Sequence, residues 1–347
     1  MYVTRRWYYF IPASGEPRGL VHRIESGVLN ELPGKKAVYS GWQEQETEIR
    51  KLLGGSTRVA MQYSPRCAVP YVAMVDAGTI ELVRSAGADV VSSAELIQEF
   101  EAALSDEQFQ THTEAGVIVD RIREASFRYI GDRLASGVGE YEVQQWIRAE
   151  FARAGLITDS GPIVAANGHA GDPHYEPTPE TSSSIRPGDF VLLDMWAKFD
   201  RPGAVYYDIT WTGHCGEPSS RIKDVFGIVR DARDAAVHAV AEAVSAGRDI
   251  RGFQVDDAAR EHIRSNGFGE YFVHRTGHSI GTDVHGTGAN MDNLETHDDR
   301  RILPGSLFSV EPGIYLPEFG IRSEVDMFVD ETSARVTGEI QRELVVI

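Results

Sequence analysis

The chain has 347 residues, 42% hydrophobic and 25% charged, and carries a formal net charge of -18. That length suits two domains with cores of their own, and so acidic a chain argues against nucleic acid or an anionic membrane as its main partner. No apolar run approaches the ~20 residues of a membrane span, the first dozen residues lack the apolar core of a signal peptide, and two cysteines, Cys67 and Cys215, make no disulfide framework, so a cytoplasmic protein is expected.

Residues 1–105 read as a small α/β domain. Residues 7–11, 36–39, 58–62 and 88–91 have strand character, while 20–29, 43–53, 75–85 and 93–103 have helical spacing with polar faces. Ser105-Asp106 offers a cap for a long helix over 107–136, which opens a second domain spanning 106–347. A helix at 140–154 follows, then strand-like runs at 162–166, 191–194 and 205–212. Helices at 220–246 and 256–266 precede a second strand-rich stretch over 271–329. The order helix, helix, hairpin thus occurs twice, which suggests a structural duplication and an α+β class.

In the first hairpin, Leu192, Asp194 and Trp196 share one face of a strand, and Tyr206, Asp208 and Thr210 share one face of the next, with Arg201-Pro202-Gly203 as turn. If the strands pair, Asp194 and Asp208 can face each other in an apolar sheet, a cost that a proton or a metal must relieve. In the second, residues 306–315 and 320–329 flank a turn at 316–319. Glu311 ends the first strand, and Arg322, Glu324 and Asp326 share a face of the second. Four inward carboxylates match the oxygen ligation that hard or borderline divalent metals prefer. Between the hairpins, FVHRTGHSIGTDVHG supplies His274, His278 and His285. Gly277 and Gly281 flank His278, favouring a tight loop whose backbone approaches a metal closely. One histidine with four carboxylates suggests two cations sharing oxygens, an arrangement used for amide hydrolysis. Cys67, the His214-Cys215 pair and His22, His112, His169, His238, His262 and His297 are read as structural.

Together the segments Leu192–Asp194, Tyr207–Thr210, Gly277–Gly281, Asp283–His285, Val310–Tyr315 and Gly320–Glu324 resemble the pita-bread metallopeptidases, the group of aminopeptidase P, prolidase, methionine aminopeptidase and creatinase. The resemblance covers roughly residues 106–347. It implies a duplicated pita-bread catalytic domain behind a smaller, shortened creatinase-type N-terminal domain. It implies two divalent ions, manganese first, with cobalt, iron or zinc as alternatives, held by Asp194, Asp208, His278, Glu311 and Glu324. Glu311 would also shuttle the proton for a metal-bound hydroxide. His174 and His285, with Arg322, His274 and Tyr315, would contact substrate, His285 steadying the oxyanion. His174, His285 and Arg322 together favour the proline-specific branch. The implied activity is hydrolysis of the N-terminal Xaa-Pro bond of peptides with proline in the second position, or of Xaa-Pro dipeptides, by a homodimer that binds neither nucleic acid nor membrane.

The hairpin departs from the family pattern. Trp196 stands where glycine is usual, Trp211 where an arginine is common, Gly286 where an acidic residue often follows, and the gap from Asp194 to Asp208 is longer. A rival reading therefore has Trp196 and Trp211 box a small sulfonium substrate for a metal-dependent lyase. A non-catalytic binding module is a further rival, against which all five ligand positions stand filled.

Overall fold

The computed structural model describes residues 3–347, which divide into two compact units, one running to Ala94 and one from Glu95 to Ile347. The division lies before the Ser105 cap that the sequence marks as a boundary.

In the first unit β1 (Tyr8–Phe10), β2 (Arg18–His22) and β3 (Lys35–Tyr39) form one sheet, with β2 antiparallel to β1 and parallel to β3. Helix α1 (Trp42–Leu53), β4 (Arg58–Met61), α2 (Ala77–Ser85) and β5 (Asp89–Ser92) follow, β4 and β5 pairing in parallel. Leu20, Ile49, Leu52, Ile80, Val83 and Val90 make the core. Residues 20–29, expected as a helix, instead begin as β2 and pass into a short turn. Sheet pairing on both sides buries Leu20 and Val21 completely, His22 caps the turn through its ring, and Leu29 takes a left-handed backbone that no helix continues through.

The second unit contains α3 (Ala94–Glu101), whose bounds begin one residue earlier, then α4 (Asp106–Gly131), β6 (Val138–Gly139), α5 (Glu140–Arg153), β7 (Leu156–Ile157), β8 (Ile163–Ala166) and β9 (Ser184–Ile185). The first hairpin is β10 (Phe190–Phe199) and β11 (Tyr207–His214). Helices α6 (Ser220–Ser245) and α7 (Gly252–Ser265) precede β12 (Leu307–Val310), β13 (Gly313–Tyr315), β14 (Gly320–Arg322) and β15 (Val325–Val329), with β16 (Ala334–Val336) and β17 (Val345–Val346) last. Ser105 caps α4 in a reciprocal box: its hydroxyl accepts from the Gln108 N–H at 3.2 Å, and the Gln108 side chain accepts from the Ser105 N–H at 3.0 Å.

Strand β10 is buried on both faces, and period two sorts its side chains between two cores. Val191, Leu193, Met195 and Ala197 pack with Val119, Ile122 and Phe127 of α4 and Val143, Ile147 and Phe151 of α5. Phe190 and Leu192 point the other way, into a core built by α6, α7 and the second hairpin. Asp194 and Trp196 lie on this second face, so the polar residues of the hairpin are aimed at the second pass of the chain.

The second hairpin is interrupted. β12 pairs with β15 and β13 with β14, but the ladder opens at Glu311-Pro312 opposite Ser323-Glu324. Proline has no N–H to donate to a ladder, so the chain leaves the sheet there. Residues 276–280 are not the tight loop expected from their glycines. They run extended beside β12, with Ile280 donating to the Leu307 carbonyl at 2.8 Å, Ser309 to that of His278 at 2.9 Å and Glu311 to that of Thr276 at 2.7 Å. Gly277 is required by this lane: a Cβ there would sit 1.9 Å from the Ser309 carbonyl oxygen, whereas one at Gly281 would meet nothing within 4 Å. Gly277→Ala is expected to lower the urea-unfolding free energy by about 1–3 kcal/mol and to weaken metal-dependent stabilisation, while Gly281→Ala leaves the midpoint near that of the parent.

Candidate metal centre

The pairing of β10 with β11 sets Asp194 opposite Thr210 and Trp196 opposite Asp208. The two aspartates therefore share a face but stand diagonally, one residue pair apart, with Thr210 between them. Thr210 was not among the expected site residues, although it lies on the Asp208 face. Its hydroxyl lies 3.0 Å from Asp194 Oδ1, 2.7 Å from Glu324 Oε2 and 2.9 Å from Arg322 Nε. It accepts from the guanidinium and donates to a carboxylate, joining the two hairpins. The Glu324 N–H also donates to the Thr210 carbonyl at 3.2 Å, and the Asp208 N–H donates to Asp326 Oδ2 at 2.8 Å. Asp326 thus fixes the backbone of Asp208 from behind, and behind it His112 is buried between the Tyr206 carbonyl and the Thr337 hydroxyl.

Four of the five expected ligands gather around His278. Its Nε2 lies 3.6 Å from Asp208 Oδ2 and 3.5 Å from Glu311 Oε1, and Asp208, His278 and Glu324 can each offer one ligand atom within 4.8 Å of the others. Asp194, the fifth, is turned to Arg322, whose Nη2 donates to Asp194 Oδ2. Ser309 holds Glu311 by a 3.1 Å bond to Oε1. His278 Nδ1 faces the Ser279 carbonyl at 3.2 Å, and a carbonyl only accepts. The proton therefore sits on Nδ1, and the Nε2 lone pair points at two carboxylates. A lone pair aimed at anions 3.5–3.6 Å away is unfavourable unless a cation lies between. The donor set, oxygen-rich with one imidazole whose other nitrogen is pinned, fits a hard or borderline divalent ion.

Electrostatics agree. Burial, then the charges of Asp194, Asp326 and Glu311, push Asp208 well above the usual carboxylate range. Burial and Asp208 do the same to Glu324, and burial raises Glu311 to about 7. Burial pushes His278 well below its ordinary value.

The expected substrate residues surround this cage. His285 lies edge-on to His278, ring centroids 4.4 Å apart, and is exposed. His174 is exposed on the loop after β8, within electrostatic reach of His285. Arg322 is buried: besides Asp194 it donates to the Tyr315 hydroxyl at 3.1 Å and to the Pro173 carbonyl at 3.4 Å. Tyr315 in turn bonds His274 Nε2 at 2.6 Å, while His274 Nδ1 donates to the Arg275 carbonyl. Burial and the Arg322 charge hold His274 down at about 3, a neutral imidazole. The His174 loop has an anchor that the sequence reading passed over. Glu140, fully buried at the first turn of α5, accepts from the N–H groups of Ala166 and Ser183, from His169 Nδ1 and, at 2.7 Å, from the Tyr175 hydroxyl next to His174.

The two tryptophans do not form a box. Trp196 stands on the cage face of β10, but Trp211 pairs with Leu193 and lies on the opposite face, where the Arg123 guanidinium stacks 3.5 Å from its ring centre. Trp211 there borders a separate cleft of about 430 Å³ with Arg123, Phe127 and Ile347. The sulfonium lyase reading loses its support.

In the metal-free protein Asp208, Glu311 and Glu324 have folded-state pKa values above those of the unfolded chain. Such groups stabilise the fold below the unfolded value, about 4 to 4.5, and lose that contribution as pH rises through about 7 for Glu311. Metal binding removes the penalty and itself strengthens as the ligands deprotonate. The gap in Tm between manganese-loaded and chelator-treated protein should therefore widen from about pH 5 to about pH 8; a constant gap in a thermal-melt series would refute this electrostatic account.

Known proteins resemble this chain over most of its length. The chain matches the description "Metallopeptidase family M24" over residues 110–331. It is 28% identical to "Probable dipeptidase PepE" of Mycobacterium tuberculosis, covering 97% of this chain and 84% of that one. It is 31% identical to the "Xaa-Pro dipeptidase" of Lactobacillus delbrueckii subsp. lactis, over 62% of this chain and 56% of the other. The crystal structure of dipeptidase PepE from Mycobacterium ulcerans superposes with a TM-score of 0.67 at 26% identity, covering 98% of this chain and 86% of that one. No helix among the described residues is long and apolar enough to cross a membrane.

Proposed function

Starting from a chain that belongs to metallopeptidase family M24, a pita-bread hydrolase of a metal-dependent family, we propose that it cleaves the N-terminal Xaa-Pro bond of short peptides, dipeptides included, with two divalent ions held by Asp194, Asp208, His278, Glu311 and Glu324. The observation that carries this reading is the single cage in which His278 Nε2 faces Asp208 and Glu311, with Glu324 in reach and His285, His174 and Arg322 at its border. The relatives' names, dipeptidase and Xaa-Pro dipeptidase, support a dipeptide among the substrates.

When bound, the divalent ions supply the acidity that makes water a nucleophile near neutral pH and the positive charge that polarises a carbonyl. The chain's own residues do the rest. Glu311, held by the Ser309 hydroxyl, can take a proton from the attacking water and return it to the leaving proline nitrogen. Partial desolvation of its ring beside His278 and the Arg275 charge lower the pKa of His285, whose neutral imidazole donates one N–H to the developing oxyanion. Arg322 keeps Asp194 in place and, through the Pro173 carbonyl, the base of the His174 loop. His174 then meets the proline side of the substrate.

Chelation should abolish hydrolysis of an Ala-Pro dipeptide, and manganese should restore it. Glu311→Gln is expected to lower kcat by at least about 100-fold with metal still bound, whereas Asp208→Asn should show its loss first in metal content by elemental analysis. Full turnover in chelator-stripped protein would defeat the metal mechanism. Cleavage of Met-Ala in preference to Ala-Pro and Ala-Pro-Ala would defeat the proline assignment.

A further inference from the structure

Trp196 follows Asp194 on the cage face of β10, and what it holds has no part in the scheme above. Its indole N–H donates to Asp159 Oδ1 at 2.7 Å, and the Ser160 N–H donates to the same oxygen at 2.9 Å. Two N–H bonds, with the Ser160 hydroxyl 3.4 Å away, fix Oδ1 of the carboxylate. The side chain is exposed, so its other oxygen, Oδ2, faces where a ligand can reach it.

The position of this pair is set by the sheet. Trp196 stands opposite Asp208 in the strand register, and its ring packs against Val205, Tyr206, Ile280 and Leu307. The carboxylate it holds lies within electrostatic reach of both His285 and Tyr206, and Asp283 adds to the negative charge at Tyr206. Beside the cage, therefore, stands an indole carrying an oriented carboxylate; of the nearby cations, Lys198 Nζ lies 4.9 Å from the Tyr206 ring and is bonded to the Thr282 carbonyl, and the Arg275 charge also reaches His285. A neutral side chain gains nothing from it and an acidic one is repelled. A lysine or arginine side chain gains a charge-assisted hydrogen bond and an aromatic surface for its stem and charge.

Resting on the peptidase reading above, we propose that Trp196 and Asp159 recognise the residue N-terminal to the scissile bond and select peptides that begin with a basic side chain. Trp196 is a positioning residue in this scheme, and Asp159 is the group that meets the substrate cation.

The test compares kcat/KM of the manganese-loaded full chain on Arg-Pro, Lys-Pro, norleucine-Pro and Glu-Pro, with a matching series carrying alanine second. All members bear the same α-amino group, so a preference isolates the first side chain. The expected result is an advantage of roughly tenfold for Arg and Lys over norleucine, with Glu lowest, carried mainly by KM. Asp159→Asn should bring the basic peptides down to the level of norleucine, and Trp196→Phe, which keeps the ring and drops the N–H, should give an intermediate loss. Equal values for Arg-Pro and norleucine-Pro in the parent would overturn the proposal, as would an Asp159→Asn variant that slows every peptide by one common factor. If only the alanine series is cleaved, the proline assignment fails and the same ranking of first residues is read there. Cleavage of neither series overturns both.

Discussion

Repulsion among buried carboxylates is the constraint on which the catalytic unit depends. Asp194, Asp208, Glu311 and Glu324 converge in a space from which most water is excluded, and among the described residues Arg322 is the cation bonded directly into it, while the Arg275 charge also reaches Glu311. The Arg322 guanidinium bonds Asp194 and the Thr210 and Tyr315 hydroxyls and reaches Glu311 only at 3.9 Å, which leaves Asp208 and Glu324 uncompensated and Glu311 weakly paired around an imidazole lone pair. A fold that brings three such groups together without a cation sacrifices stability. The two halves of the unit are each covered by helices of their own, and that burial holds the hairpins against the repulsion.

The open ladder of the second hairpin follows from the same demand. In an unbroken antiparallel pair, Glu311 and Glu324 would be tied to the pleat and their backbones to each other. The break at Pro312 and Ser323 releases both residues. The Glu311 N–H then bonds Thr276 and the Glu324 N–H bonds Thr210, so each carboxylate is oriented by a different neighbour. Behind the break a second buried cation, Arg233 of α6, donates to the Ser323 hydroxyl at 2.7 Å and to the Gln341 carbonyl at 2.9 Å. The interruption is thus supported on both sides rather than left as a gap.

Much of this was legible in the residues. Period-two parity placed Asp194 and Asp208 on one face, the cap at Ser105 marked the start of α4, and the repeated helix, helix, hairpin order appears in the structure. Parity does not fix register, so the diagonal offset and the bridging role of Thr210 could not be read. Parity also assigned Trp211 to the face away from Asp208, a signal that the two-tryptophan box overlooked. The strand at Leu20 was hidden because apolar residues spaced for a helix also fit a strand when neighbours cover both sides. Asp326 and Glu140 act through backbone N–H groups distant in sequence, and no local pattern reports those.

The histidine segment shows how one stretch of chain yields different chemistry from identical side chains. His274 and His278 both face a backbone carbonyl through Nδ1, which sets the proton there and leaves Nε2 to accept. What meets Nε2 then decides the role: a tyrosine hydroxyl at His274, two carboxylates at His278. Because residues 276–280 are extended, alternate residues face opposite ways. Ser279 therefore turns from the cage, its hydroxyl accepting from the Gly288 N–H at 3.0 Å and its own N–H donating to Asn290 Oδ1 at 3.0 Å. His278 is anchored to β12 on one side and, through its neighbour Ser279, to the 288–290 segment on the other. The His278 imidazole is rigid here because the backbone under it is hydrogen-bonded like a strand, and Gly277 is the residue that lets that backbone come close enough.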